Sequence, residues 1–113
     1  MTYDFLDGAG EVPAHQHSDG GGWVADSAQV AASAFVGPDA KVYGNAVVRG
    51  NAWVYGNAQV FGNAVVYGTA WIYGNAQVFG NAVVYGTAWI YGNAVVCGTA
   101  RVFDGAKVYG TAK

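Results

Sequence analysis

Cysteine, proline and charged side chains are all scarce in this chain of 113 residues. The single cysteine, Cys97, excludes an intrachain disulfide framework. Charged residues make up 11% and the net charge is −2, which argues against general nucleic-acid binding because that requires a basic surface. No apolar run is long enough to span a membrane, and no charged start precedes an apolar stretch as in a signal peptide. We therefore expect a cytoplasmic protein with no membrane partner.

Glycine, by contrast, is abundant and falls at a fixed interval. The 18 glycines accompany 53% hydrophobic residues, a composition that excludes a disordered chain. Residues 58–75 read AQVFGNAVVYGTAWIYGN, and residues 76–93 repeat them letter for letter. Each copy contains a six-residue unit three times: Ala, any residue, Val or Ile, an aromatic, Gly, and Asn or Thr. Periods of six and eighteen residues therefore organise the chain.

The six-residue period predicts short strands joined by two-residue corners. An aliphatic residue recurs at every sixth position from Val24 to Val108, and an alanine stands two positions earlier from Ala28 to Ala106. Alternation along a strand sends both to one side, and Gly and Asn tolerate the backbone of a corner. Three strands and three corners make a triangular coil, so the fifteen aliphatic positions predict five coils. The alternative is an antiparallel meander, although two-residue hairpins prefer Asn-Gly over Gly-Asn.

These hexads resemble the repeats of hexapeptide-repeat proteins, the left-handed parallel β-helix proteins. Residues 36–41, VGPDAK, fit the unit of that family. Most hexads, such as VYGNAQ at 54–59, instead carry an aromatic second and a glycine third, which resembles short phage and prophage members of the hexapeptide transferase superfamily. The resemblance covers about residues 23–113. It implies an all-β fold, a left-handed parallel β-helix of about five triangular coils, commonly assembled as a homotrimer.

Residues 1–22 lie outside the repeat, and we expect them to form an irregular N-terminal arm or cap before a β-helix domain at 23–113. Solenoids need such caps because an open end exposes apolar residues and strand edges. The arm contains both histidines, His15 and His17, the only arrangement of metal-ligand residue types. In a trimer they could surround a transition-metal ion, as at the tips of β-helical phage spikes. The alternative is a solvated or cap-packed pair.

The predicted interior holds only Ala, Val and Ile, so every aromatic side chain from Trp23 onward is expected to face outward. The 18-residue period sorts these side chains onto three walls, where like residues stack. A lone prism would expose on the order of a few thousand Å² of aromatic surface. Soluble monomers rarely expose patches above a few hundred Å². We therefore expect sister chains to cover this surface in a homotrimer, with the Trp and Tyr wall near the threefold axis.

A second interpretation makes part of this surface a binding groove. Trp and Tyr faces could stack a planar ring while arginine holds an anion, which suits a small planar anionic ligand such as a nucleotide. The residues predicted for this ligand site, or for the trimer interface, are Arg49, Trp53, Tyr55, Tyr67, Trp71, Tyr73, Tyr85, Trp89, Tyr91 and Arg101.

The resemblance also raises enzymatic activity, because many family members are acyltransferases. Such enzymes usually carry a catalytic histidine on a coil or inserted loop, whereas these coils contain none and no loop interrupts the hexads. Cys97 has no histidine near it in sequence and is expected to be a spectator thiol. We therefore predict no catalytic residue and no cofactor. The expected function is a non-enzymatic structural or sequestering module of a phage, cytoplasmic in the host or virion-associated. An acyltransferase-like enzyme and a metal-binding spike-type trimer are the alternatives.

Overall fold

A computed structural model describes residues 2–5 and 10–109 of the chain. Met1, positions 6–9 of the predicted arm and positions 110–113 of the predicted β-helix domain lie outside the described residues. The described part is all-β, and it contains no helix that could span a membrane. Its strands are β1 (Thr2–Asp4), β2 (Glu11–Gln16), β3 (Trp23–Ala25), β4 (Gln29–Val30), β5 (Phe35–Val36), β6 (Lys41–Val42), β7 (Val47–Val48), β8 (Trp53–Val54), β9 (Gln59–Val60), β10 (Val65–Val66), β11 (Trp71–Ile72), β12 (Gln77–Val78), β13 (Val83–Val84), β14 (Trp89–Ile90), β15 (Val95–Val96), β16 (Arg101–Val102) and β17 (Lys107–Val108).

Each strand from β3 to β14 pairs in parallel with the strand one coil later, so that Trp71 lies opposite both Trp53 and Trp89. Every third strand joins the same sheet, which builds three walls. We name them the Gln–Phe wall (β3, β6, β9, β12, β15), the Val–Tyr wall (β4, β7, β10, β13, β16) and the Trp–Tyr wall (β5, β8, β11, β14, β17). The prediction of a parallel solenoid of about five 18-residue coils is confirmed, and the meander alternative is wrong. The left hand of the coil stays a prediction.

The interior of the solenoid is a column of small aliphatic side chains. From Ala34 to Ala94 both inward positions of every hexad are fully buried, as Ala70 and Ile72 illustrate. Outward residues donate their backbone N–H groups to the next coil, for example Trp71 to the carbonyl of Ala88 at 2.9 Å. The inward assignment is therefore confirmed for these positions, and the backbone hydrogen bonds between coils are satisfied within the stack.

The corners stack directly on one another. Gly74 has φ of 68°, and a Cβ there would lie 2.9 Å from the backbone nitrogen of Gly92 in the next coil. Asn75, beside it, donates from Nδ2 to Oδ1 of Asn93 at 3.2 Å and accepts the same bond from Asn57 at 3.3 Å. Glycine is thus required both by the left-handed backbone and by the close approach of the next corner.

Within the described residues the N-terminal arm contains two β-strands, where the prediction had an irregular segment. Strands β1 and β2 form an antiparallel hairpin, and β2 pairs antiparallel with β3, placing His15 opposite Val24. The edge strand β3 offers unpaired backbone groups, and these template a strand in a segment that has no repeat of its own. The hairpin therefore covers the first edge of the Gln–Phe wall.

A second segment, residues 17–22, caps the edge strand β5 of the Trp–Tyr wall. Val36 donates its N–H to the carbonyl of Asp19 at 3.0 Å and accepts from the N–H of Gly22 at 2.9 Å. A Cβ at Gly22 would lie 2.3 Å from the carbonyl oxygen of Gly37. The three consecutive glycines thus allow this segment to lie against the coil.

Candidate functional site

The Trp–Tyr wall carries a column of stacked tryptophans. The ring centroids of Trp53 and Trp71 lie 5.6 Å apart with planes at 18°, and those of Trp71 and Trp89 lie 5.2 Å apart at 2°. Successive coils rise by about 4.8 Å, which is close to the separation at which aromatic rings stack. The in-register pairing of the strands therefore creates the column.

A tyrosine column runs beside it on the same wall. Tyr55, Tyr73, Tyr91 and Tyr109 stack with centroid separations of 4.9, 5.1 and 5.2 Å. Burial raises the pKa of Tyr55, and a smaller contribution comes from the neighbouring phenol of Tyr73. The pKa of Tyr73 is raised by burial and then by Tyr91. These phenols therefore stay neutral to higher pH than free tyrosine.

The third column lies on the Val–Tyr wall, and cations cover the ends of two columns. Tyr67, Tyr85 and Phe103 stack at 5.1 and 5.5 Å. The guanidinium carbon of Arg49 lies 5.2 Å from the ring centroid of Tyr67, and the Nζ atom of Lys107 lies 5.2 Å from that of Trp89. Both cations thus make cation–π contacts within the chain.

Stacking changes what these aromatic side chains offer to a partner. A ring between two others presents its edge outward, because both of its faces contact its neighbours. The described residues also form no pocket. Among their large hydrophobic side chains only Trp53 (43%), Phe103 and Tyr109 are exposed. The expected few thousand Å² of exposed aromatic surface is therefore too large, and inner rings have no free face on which a planar ligand could stack.

The ten residues predicted for the ligand site fall on two walls. The six Trp and Tyr residues of β8, β11, β14 and the corners after them belong to the Trp–Tyr wall, while Arg49, Tyr67, Tyr85 and Arg101 belong to the Val–Tyr wall. Arg49 follows β7, and Arg101 begins β16, three coils later. Three coils correspond to roughly 14 Å along the axis. The structure therefore does not bring the two arginines together around one anion.

The two histidines enter different surroundings. Nδ1 of the exposed His15 lies 2.7 Å from Oδ1 of Asp26. His17 is buried and its Nε2 donates to the carbonyl of Ala34 at 2.8 Å. Because β2 ends at Gln16, His17 leaves the strand and the two imidazoles do not share a face. Residues 2–5 and 10–109 contain no group of three or more His, Cys, Asp or Glu residues that could hold a metal.

The aromatic contacts between the N-terminal hairpin and the Gln–Phe wall were not predicted from the sequence. Tyr3 stacks on Trp23 at 4.6 Å, and the buried Phe5 stacks on Tyr43 at 4.7 Å. These contacts extend the aromatic stacking of the Gln–Phe wall, where Tyr43 stacks on Phe61 at 4.8 Å. The spacing of two between Tyr3 and Phe5 was the available signal, because alternate strand residues share a face. The hairpin covers part of the Gln–Phe wall, and among the described residues nothing covers the outer face of the Trp–Tyr wall beyond the cap on the edge of β5.

Comparison with known proteins agrees with this architecture. A family model described as YdcK Beta solenoid repeat matches residues 40–57, 58–74, 70–86 and 76–92. The chain is thus similar to that repeat over residues 40–92, and it is a β-solenoid repeat protein. Searches of curated proteins and of solved structures gave no match.

Proposed function

We propose that this chain is a non-enzymatic β-solenoid module that binds copies of itself through its aromatic walls. The observation that carries the proposal is the uncovered outer face of the Trp–Tyr wall, where β8, β11 and β14 each present a Trp and the residue after each strand is a Tyr. A contiguous apolar surface of this kind marks an interaction site. Trp and Tyr are also the residues that contribute most to protein interfaces.

Stacking supports this role because it orders the wall before any partner arrives. Each ring of the tryptophan column is already held between its neighbours, with planes 18° and 2° apart. Association therefore loses little side-chain entropy. The homotrimer implied by the resemblance to hexapeptide-repeat proteins is one form of this assembly. The phage setting, in the host cytoplasm or on the virion, rests on the same resemblance.

The other functions have less support. A small planar anion would need an open ring face, whereas the inner rings are stacked and Arg49 already covers Tyr67. Acyl transfer would need a general base beside a substrate site, but His15 is paired with Asp26 on an exposed surface and His17 is buried in the cap. A shared metal would need both imidazoles on one face.

The test is the assembly state of the full chain, measured by native mass spectrometry and sedimentation velocity. We expect a concentration-dependent oligomer. Tyr73→Glu should disrupt it, because association would bury an unpaired charge between the two walls. Gln77→Glu, at an outward position of the Gln–Phe wall, is the matched control and should assemble normally. Far-UV circular dichroism checks that both variants are folded. A chain that stays monomeric at every concentration would refute the proposal.

A further inference from the structure

Charge is segregated along the solenoid. Residues 1–40 contain six acidic residues and no Lys or Arg, and residues 50–100 contain no charged residue at all. Arg101 and Lys107 lie on the last described coil, where Asp104 is the only acidic residue. The first end of the stack is therefore acidic, Lys41 and Arg49 follow on the second coil, the next coils are uncharged and the last coil is basic.

The Trp–Tyr wall has the same polarity. At its first end Asp19 pairs through its backbone with Val36, and Asp39 follows β5; both side chains are exposed. At its last end the exposed Lys107 begins β17. The two other cations of the first coils lie elsewhere, Lys41 on the Gln–Phe wall and Arg49 on the Val–Tyr wall. This wall thus has acid at one end, base at the other and aromatic edges between them.

We infer that two copies pair antiparallel through their Trp–Tyr walls, an inference that rests on the proposed self-association. The wall has the strand order β17-β14-β11-β8-β5, so β11 is its centre. A twofold axis across β11 places β5 of one copy opposite β17 of the other, and β8 opposite β14. Asp19 and Asp39 then meet the second copy's Lys107 at both ends, while the tryptophan columns lie against each other.

Parallel arrangements lack this complementarity. A parallel pair or a threefold ring gathers the acidic first ends together, with no cation on the same wall to offset them. The wall measures about 24 Å by about 13 Å, or roughly 300 Å² per copy. That area lies below the size of a long-lived interface, so the pair should be weak and the end charges should decide its direction.

Charge reversal tests the direction. The first-end variant, Asp19→Lys with Asp39→Lys, and the last-end variant, Lys107→Glu, should each raise the dimer dissociation constant by about threefold to thirtyfold in sedimentation equilibrium. Combining all three substitutions should restore the dissociation constant to within about twofold of that of the unsubstituted chain, because the charges at the two ends are exchanged but still complementary. Arg101→Glu changes the net charge as Lys107→Glu does, but on the Val–Tyr wall, and should leave the constant unchanged.

Salt gives a second measurement on the unsubstituted chain. Added salt should weaken an antiparallel pair by screening its attraction, whereas it should tighten a parallel bundle by screening repulsion. Three results would overturn the antiparallel inference and leave self-association standing. They are a combined variant that dimerises as weakly as its parent variants, a dimer that added salt tightens, and a trimer. A monomer under all conditions would overturn both.

Discussion

Replacing Gly74 by alanine tests whether the corners of successive coils are in steric contact. The new Cβ would lie 2.9 Å from the backbone nitrogen and 3.1 Å from the carbonyl oxygen of Gly92. Neither atom can rotate away as the end of a flexible side chain would. Gly98 provides a matched control, because its φ of 65° resembles the 68° of Gly74 while its Cβ would meet nothing within 4 Å.

The two substitutions share every effect except the clash. Left-handed backbone strains alanine by about 1–2 kcal/mol, and the stiffer unfolded chain offsets about 0.4–1 kcal/mol of that. Gly98→Ala should therefore lower the free energy of unfolding by about 0–1.5 kcal/mol. Crowding of the new Cβ against the backbone of the next coil adds about 1–3 kcal/mol, so Gly74→Ala should lower the free energy of unfolding by that much more than Gly98→Ala.

Urea denaturation followed by far-UV circular dichroism measures both losses in the full chain. Equal losses for Gly74→Ala and Gly98→Ala would refute the reasoning, because they would leave only the backbone strain that both positions share. The stacked corners would then not be in the contact that the structure describes.

Three further predictions concern the core, the cap and the tyrosine column. Val66→Asp should abolish the folded circular dichroism spectrum, because Val66 is fully buried and an unpaired charge has no partner inside the solenoid; a folded variant would contradict the inward assignment. Phe5→Ala should speed hydrogen exchange in β2 without affecting the central coils, because Phe5 holds the hairpin on Tyr43; unchanged exchange would contradict that role. The pKa values of Tyr55 and Tyr73 are raised in the folded chain. Their contribution to the free energy of unfolding is therefore fully present below pH 10.0, the ordinary tyrosine pKa expected in the unfolded chain, and is lost as the pH rises through the folded pKa. A titration followed by phenolate absorbance should give higher tyrosine pKa values in the folded chain than in the denatured chain. Coincident titration curves would contradict this prediction.

Much of the solenoid could be predicted because each hexad states its own geometry. The inward Val66 and Ile72 and the outward Trp71 follow from alternation within four residues, and the corner at Gly74 follows from residue type. The hairpin could not be predicted in this way. Strand β2 depends on the edge of β3, and the contact of Phe5 with Tyr43 joins residues of no common pattern.

The candidate site divides similarly. Sequence placed the aromatic residues on the correct walls, since the 18-residue period is the period of the coil. The stacking of like residues was expected, but the sequence did not show that it covers both faces of Trp71 and Tyr73 and leaves none for a ligand. It likewise left His15 and His17 as a pair, whereas the end of β2 separates them.

By itself, then, the sequence determined the coil, its contents and the sorting of side chains onto walls, because these depend on short periods that every hexad repeats. The tertiary structure decided which surfaces remain open, because that depends on contacts between distant residues. The cap covers part of the Gln–Phe wall, and stacking leaves ring edges rather than faces on the Trp–Tyr wall.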